Sequence, residues 1–322
     1  MSGLLPSVYP AKAAERDAWI LSRRPARKSL HPYVPYEYFV EEECGHDGAM
    51  KAVATIFLTN RECPFRCLMC DLWRNTLTET VPVGAIPAQI DHALRSLPPA
   101  RQIKLYNSGS FFDPHAIPPE DYAAIAQRAN RFERLIVENH PALIGDACLG
   151  FRDLLAGRLE VAMGLETVHP EAAAALNKRM TLAQFSSAAK FLRSNGIDLR
   201  VFILVQPPFV PAAEALSWAE RSLDFAMECG ATAAVLIPTR AGNGAMEALM
   251  ANDEFALPSL DTLESAMEYG LRLSAGRVFA DLWQMRESCA HCHAQRVARL
   301  QLMNLQQAVL DRIPCTGCGG AS

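Results

Sequence analysis

The stretch "AVATIFLTNRECPFRCLMC" (residues 52–70) joins an apolar run to three closely spaced cysteines, Cys63, Cys67 and Cys70. Its first half, 52–60, is apolar almost without a break and rich in β-branched residues, which suits a strand covered on both faces. The cysteines then fall in the loop that leaves the strand's C-terminal end. The same rhythm continues down the chain. Strands are predicted at 102–109, 134–139, 159–167, 198–206 and 231–239. Between and after them, amphipathic periodicity predicts helices near 87–97, 118–130, 143–156, 182–195, 213–229 and 259–274. Six βα units in series predict parallel strands joined by right-handed crossovers. Polar residues gather at the C-terminal end of every strand (Asn60, Ser108 to Ser110, Glu138, Glu166, Gln206, Thr239), as at the mouth of a barrel rather than at one switch point. The expected architecture is α/β, a partial (β/α)6 TIM-like barrel over residues 51–275. An irregular N-terminal extension (1–50) precedes it, and a cysteine-rich metal-binding segment (276–322) follows. "GRVFADLW" (276–283) reads as one further strand, and residues 294–310 as a helix. The aromatic stretch "HPYVPYEYFVEEE" (31–43) can either lid the barrel or pack outside it, and packing outside is the expectation.

Bulk properties narrow the function classes. The chain has 322 residues, half of them hydrophobic, and a net charge of −4. No basic block is present that would bind nucleic acid by charge alone. No run approaches the roughly 18 apolar residues of a membrane span. The first residues lack the apolar core of a secretory signal. A cytoplasmic, reducing setting is therefore expected, where ten cysteines are more often metal ligands or redox groups than disulfides.

Soft thiolates select zinc, copper(I) or iron–sulfur clusters. Structural zinc is usually closed by four ligands. Three thiolates in one loop suggest a cluster that leaves one iron open to another ligand, with zinc or plain core thiols as the alternatives.

C-x-x-x-C-x-x-C at the end of the first strand of a βα series resembles the radical S-adenosylmethionine (SAM) superfamily. The resemblance implies that Cys63, Cys67 and Cys70 hold a [4Fe–4S] cluster and that SAM chelates the fourth iron. It implies reductive cleavage of SAM to a 5′-deoxyadenosyl radical, and a full or partial barrel. Met69 stands where the superfamily often has an aromatic residue beside the purine. "YNSGS" (106–110) stands where it has a Gly-Gly-Glu-like turn, so Ser108, Gly109 and Ser110 become candidate SAM contacts. "GLET" (164–167) brings Glu166, and "LNKRM" (176–180) offers Lys178 or Arg179 to the SAM carboxylate. Glu138 and Gln206 complete the candidate set. Their structural alternatives are a helix-capping carboxylate for Glu166 and a solvated helix end for the two cations. Within the superfamily, residues 105–118, 137–144 and 161–209 look like the branch that contains the catalytic subunit of Elongator. They are most similar to the radical SAM subunit of archaeosine synthase, whose substrate is a modified deazaguanine in tRNA.

The tail carries a second pattern, Cys289, Cys292, Cys315 and Cys318, spaced C-x2-C-x22-C-x2-C. Two such pairs across a helix-length spacer are a strong metal signal. Zinc, as a structural clip, and an auxiliary [4Fe–4S] cluster both suit it, with His291 and His293 as alternative ligands. Cys44, Cys148 and Cys229 read as core thiols. His115 and His140 lie just past strand ends, where they can line a pocket.

The expected function is a radical SAM enzyme acting on a small molecule or a modified nucleoside, with a tRNA-borne substrate among the options. A reductant such as flavodoxin or ferredoxin would feed its cluster, and no membrane is involved. The alternative is a non-catalytic, zinc-containing RNA- or protein-binding module.

Overall fold

A computed structural model describes residues 7–318. Eight strands form one sheet: β1 (Glu37–Cys44), β2 (Met50–Phe57), β3 (Gln102–Tyr106), β4 (Arg134–Glu138), β5 (Arg158–Glu166), β6 (Asp198–Val205), β7 (Ala233–Pro238) and β8 (Arg277–Ala280). They are hydrogen-bonded in sequence order. β2 to β8 are parallel neighbours and β1 is antiparallel to β2. The helices are α1 (Ala13–Leu21), α2 (Ala85–Leu94), α3 (Tyr122–Ala129), α4 (Asp146–Arg152), α5 (Pro170–Ala175), α6 (Leu182–Ser194), α7 (Ala215–Glu228), α8 (Ala245–Met250), α9 (Leu260–Leu273) and α10 (His293–Gln306).

All six expected strands form, and β8 is the further strand expected within 276–283. Two features depart from the sequence reading. Residues 37–44, read as part of an irregular extension, form β1 and pair with β2 along their whole length. The short helices α5 and α8 were also not anticipated; each spans only six residues, too few for a periodicity to register.

One face of the sheet packs on the helices through Ile103, Leu105, Leu135, Val137, Leu159, Val161, Leu199, Val201, Ile203 and Leu236. Alternate residues point the other way, and several are charged. Arg200 Nε on β6 lies 2.6 Å from Glu160 Oε1 on β5, and its guanidinium also pairs with Glu43 on β1. Lys104 on β3 reaches Glu43 at 2.6 Å. Arg134 and Arg277 both reach Glu160, at 3.0 and 3.3 Å. A side chain on β1 can meet one on β6 only if the sheet curls, so these residues fill the concave side of a partial barrel. Each buried charge has an opposite partner, which offsets its desolvation. Arg200 and Lys104 thus outweigh the burial that would raise the Glu43 carboxyl, and hold it well below the usual range.

Among the described residues β1 and β8 do not pair, and α10 touches both across the seam. Just past the end of α10, Gln307 accepts from Val278 N at 2.7 Å and donates to Val278 O at 2.9 Å. Asn304 does the same for Ala280 N and O, at 2.7 and 2.9 Å. Two side-chain amides thereby satisfy the free edge of the last strand, which would otherwise be open to pairing with another chain.

Candidate active site

Beyond β2 the chain turns into the cysteine loop, and its shape is set by anchors on three other segments. Leu68 is fully buried in an apolar cluster with Tyr9, Ile20, Met246 and Leu249, and Met69 packs against that cluster. Leu68 N donates to Leu176 O at 2.9 Å. Asn243 Nδ2 donates to the carbonyls of Leu68 and Cys70, at 2.8 and 3.2 Å. Asn177 Nδ2 donates to Arg66 O at 2.7 Å and to Asp17 on α1 at 2.8 Å. The N-terminal segment thus braces the loop from outside.

Burial pushes all three thiols up to about 12, so each keeps its proton unless a cation replaces it. Their sulfurs do not form the tight group, with every ligand atom within 4.8 Å, that the four C-terminal cysteines make. A single zinc ion would draw its thiolates together; a four-iron cluster is broader and holds them apart. Gly109 lies against the loop, where an added Cβ would stand 3.1 Å from Cys63 Cβ. The donor set, three thiols in one loop, fits an iron–sulfur cluster with one iron left open.

Facing the loop is an ion pair. Lys178 Nζ lies 2.5 Å from Glu166 Oε1, with both side chains largely buried. Burial alone would lower the ammonium's pKa, but Glu166 and the nearby Cys67 and Cys63 more than offset it and raise it. Gly164 makes room for the pair: a Cβ there would fall 2.1 Å from Glu166 Oε1 and 2.4 Å from Lys178 Nζ. A register shift between Gly164 and Glu166 re-aims the end of β5.

The turn after β3 is held by Glu138, whose carboxylate accepts from Asn107 N at 2.7 Å and Gly109 N at 3.3 Å. Burial raises its pKa to about 7 despite those donors. Ser108 Oγ and Tyr36 OH are 2.9 Å apart. Tyr36 belongs to the aromatic stretch expected to pack outside the barrel. That expectation is corrected: the strand pairing of β1 carries the segment over to the end of β3. Ser110 Oγ is occupied, accepting from His140 N at 3.0 Å. Gln206 donates to Ala256 O at 3.0 Å. Arg179 turns away from the loop, exposed and paired with Asp17.

Ser108, Glu166 and Gln206, at the ends of three strands, all have positive φ (54°, 67° and 54°), as do Asn177 and Arg179 on either side of Lys178. Non-glycine residues in this region cluster where function constrains the backbone. Sequence reasoning missed Phe65 and Tyr36. The Phe65 ring stacks on His140 with centroids 3.7 Å apart. His140 Nδ1 accepts from Ala142 N, so the proton sits on Nε2, which donates to Lys178 O at 3.0 Å. Burial and Lys178 lower its pKa to about 4 and keep it neutral. His140 therefore links the cysteine loop to Lys178. Below the mouth, the partly exposed rings of Phe39, Phe57, Tyr106 and Phe202 line the lumen in edge and tilted contacts.

No family model matches the chain. Curated relatives include an uncharacterized protein of Methanocaldococcus jannaschii, 23% identical over 250 residues that cover 73% of this chain and 68% of that one. Archaeosine synthase subunit beta of Methanosarcina acetivorans is 24% identical over 261 residues, 76% of this chain and 75% of that one. The likeness read in the sequence is thus matched by a named relative. Among solved structures, methylornithine synthase superposes with a TM-score of 0.49 at 14% identity, over 77% of this chain and 82% of that one. No helix of the described residues is long and apolar enough to cross a membrane.

Proposed function

We propose that the chain is a radical SAM enzyme that acts on a modified nucleoside or a related small molecule. The observation that carries this reading is the meeting of a braced three-thiol loop with the Lys178–Glu166 pair at the open end of a partial barrel. Cys63, Cys67 and Cys70 would hold a [4Fe–4S] cluster. Such a cluster, when reduced in the presence of SAM, supplies a 5′-deoxyadenosyl radical that abstracts hydrogen from substrate.

The remaining roles belong to the chain's own side chains. The Lys178 ammonium offers a carboxylate partner beside the loop, and Glu166 sets its direction. Ser108 and Gly109 bring backbone close to Cys63, and Glu138 fixes their turn while keeping a carboxyl available to an amine. His140 and Phe65 keep the loop and Lys178 in register. Gln206 and Met69 flank the same end of the barrel. The aromatic lumen offers flat apolar contact for a heterocycle and limits water near a reactive carbon. The relative named archaeosine synthase subunit beta supports a nucleoside carried on tRNA and the cooperation of a second protein. A flavodoxin- or ferredoxin-like donor would supply the electron in a reducing cytoplasm.

The test is anaerobic reconstitution with iron and sulfide, followed by SAM and dithionite. The reading predicts 5′-deoxyadenosine, abolished by Cys67→Ala, whereas Cys315→Ala need not abolish it. A reconstituted protein that binds four irons and never forms 5′-deoxyadenosine would overturn it, and a colourless, iron-free protein would favour a binding module.

A further inference from the structure

The C-terminal cysteines make the tightest group of metal-ligating atoms among the described residues. The sulfurs of Cys289, Cys292, Cys315 and Cys318 all lie within 4.8 Å of one another. Cys289 and Cys315 are 3.9 Å apart, and Cys292 and Cys318 are 3.6 Å apart. Thiolates about 2.3 Å from a tetrahedral zinc ion stand about 3.8 Å from each other. A four-iron cluster needs a wider cage, since its own irons and sulfides occupy the centre. The volume between these sulfurs admits one ion.

Local backbone agrees. Gly317 N points at Cys315 Sγ from 3.4 Å. The N–H groups of His291 and Cys292 serve Cys289 in the same way. Each Cys-x2-Cys turn thus wraps its amides around the sulfur of its first cysteine. Gly317 leaves room for His291: a Cβ there would stand 2.9 Å from His291 Cδ2 and push that ring aside. His291 packs across the turn and His293 Nδ1 faces Ser288 at 3.3 Å. Neither histidine joins the four-sulfur group.

The position says what an ion there does. Cys292 immediately precedes α10, the helix that spans the seam between β8 and β1. Farther along, Arg296 holds Glu264 at 2.6 Å and Arg299 holds Glu268 at 2.7 Å, both on α9. Arg312 returns the chain to Glu268 at 2.9 Å, which brings Cys315 and Cys318 back to the start of α10. An ion bound to all four sulfurs closes this loop and fixes the helix at its free end.

We propose that Cys289, Cys292, Cys315 and Cys318 hold a single zinc ion, a redox-silent clip on the helix that closes the barrel seam, and not a second iron–sulfur cluster. Zinc transfers no electrons. The loop of Cys63, Cys67 and Cys70 is then the one cysteine cluster among the described residues able to carry a redox centre. The zinc site stands whether or not that loop holds a cluster.

The experiment is metal analysis of the full chain as isolated anaerobically, without reconstitution. It compares the wild type, the triple variant Cys63→Ala, Cys67→Ala, Cys70→Ala, and Cys315→Ser. The proposal predicts one zinc per chain in the wild type and the triple variant, and at least a tenfold loss in Cys315→Ser. Zinc-edge X-ray absorption of the triple variant should show four sulfur neighbours at about 2.3 Å. A triple variant that is brown with four irons, red with one ferric iron, or free of zinc overturns it. The triple variant decides the matter even if Cys315→Ser fails to fold.

Discussion

Lys178 Nζ stands 2.5 Å from Glu166 Oε1 across a space that only the glycine at 164 leaves open. Gly164→Ala must therefore displace one of the two side chains. Its effect falls on the pair rather than on the cysteine loop. We expect iron content within a fifth of wild type but at least a tenfold loss in the rate of 5′-deoxyadenosine formation. Lys178→Met leaves Glu166 buried without a partner, which costs roughly 3 kcal/mol or more. Chemical denaturation and SAM binding, measured together, check both variants. Full turnover in the Gly164→Ala variant would remove the pair from the site.

Leu68 tests the loop's mechanical support. It is fully buried, and its neighbours Ile20, Met246 and Leu249 belong to segments far apart in the chain. Leu68→Ala should cost roughly 2–5 kcal/mol. Because this residue anchors the segment between Cys67 and Cys70, reconstituted iron should fall at least twofold while zinc at the C-terminal cysteines is unchanged. Equal loss of both metals would mean that the variant unfolds globally.

Much of this was legible in the sequence, and the failures have a common cause. The parallel strands announce themselves because Ile103, Leu105, Val161, Val201 and their neighbours are apolar against the helices. The segment Glu37–Cys44 does not, since it carries Glu37, Glu41, Glu42 and Glu43. Glu43 is buried only because Lys104 and Arg200, 61 and 157 residues away, converge on it. No local window contains that match. The same limit applies at the mouth. Lys178 and Arg179 are interchangeable as neighbouring cations in a sequence, yet one faces the cysteines and the other pairs with Asp17 at the surface. Phe65 and Tyr36 carry no motif; their roles come from His140 and Ser108, which only the fold brings beside them.

Two buried groups at the mouth make opposite contributions to the pH dependence of stability. Glu138 titrates near 7 in the folded chain against an ordinary 4.5, so between those values the folded state holds the extra proton. Stability from this group therefore falls as pH rises from about 4.5 to 7. His140 titrates near 4 against an ordinary 6.5, so the unfolded state holds the extra proton, and stability from it rises over about pH 4 to 6.5. The two largely cancel between pH 4.5 and 6.5. Glu138→Gln keeps an oxygen for the Asn107 and Gly109 amides and removes only the titration. Its melting temperature should climb more steeply than that of the wild type from pH 4.5 to 6.5, and the gap between the proteins should widen until about pH 7. Parallel curves would show that Glu138 is ionised throughout.

The seam between β1 and β8 offers the last test. Asn304 and Gln307 each satisfy both backbone groups of one residue on β8. Truncating either to Ala leaves an N–H and a C=O without partners at a partly covered edge, a loss of about 1–3 kcal/mol each. Gln307 Nε2 also donates to Asn304 O at 2.8 Å, so the two truncations should be coupled rather than simply additive, which a double-mutant cycle measures. The amides of Val278 and Ala280 should exchange with solvent at least tenfold faster in the double variant, with the amides of β5 unaffected. An edge strand freed in this way is also a template for another chain, so the double variant should show concentration-dependent association by light scattering. Unchanged exchange at Val278 and Ala280 would mean that the two side-chain amides do not protect this edge and that α10 merely lies over the gap.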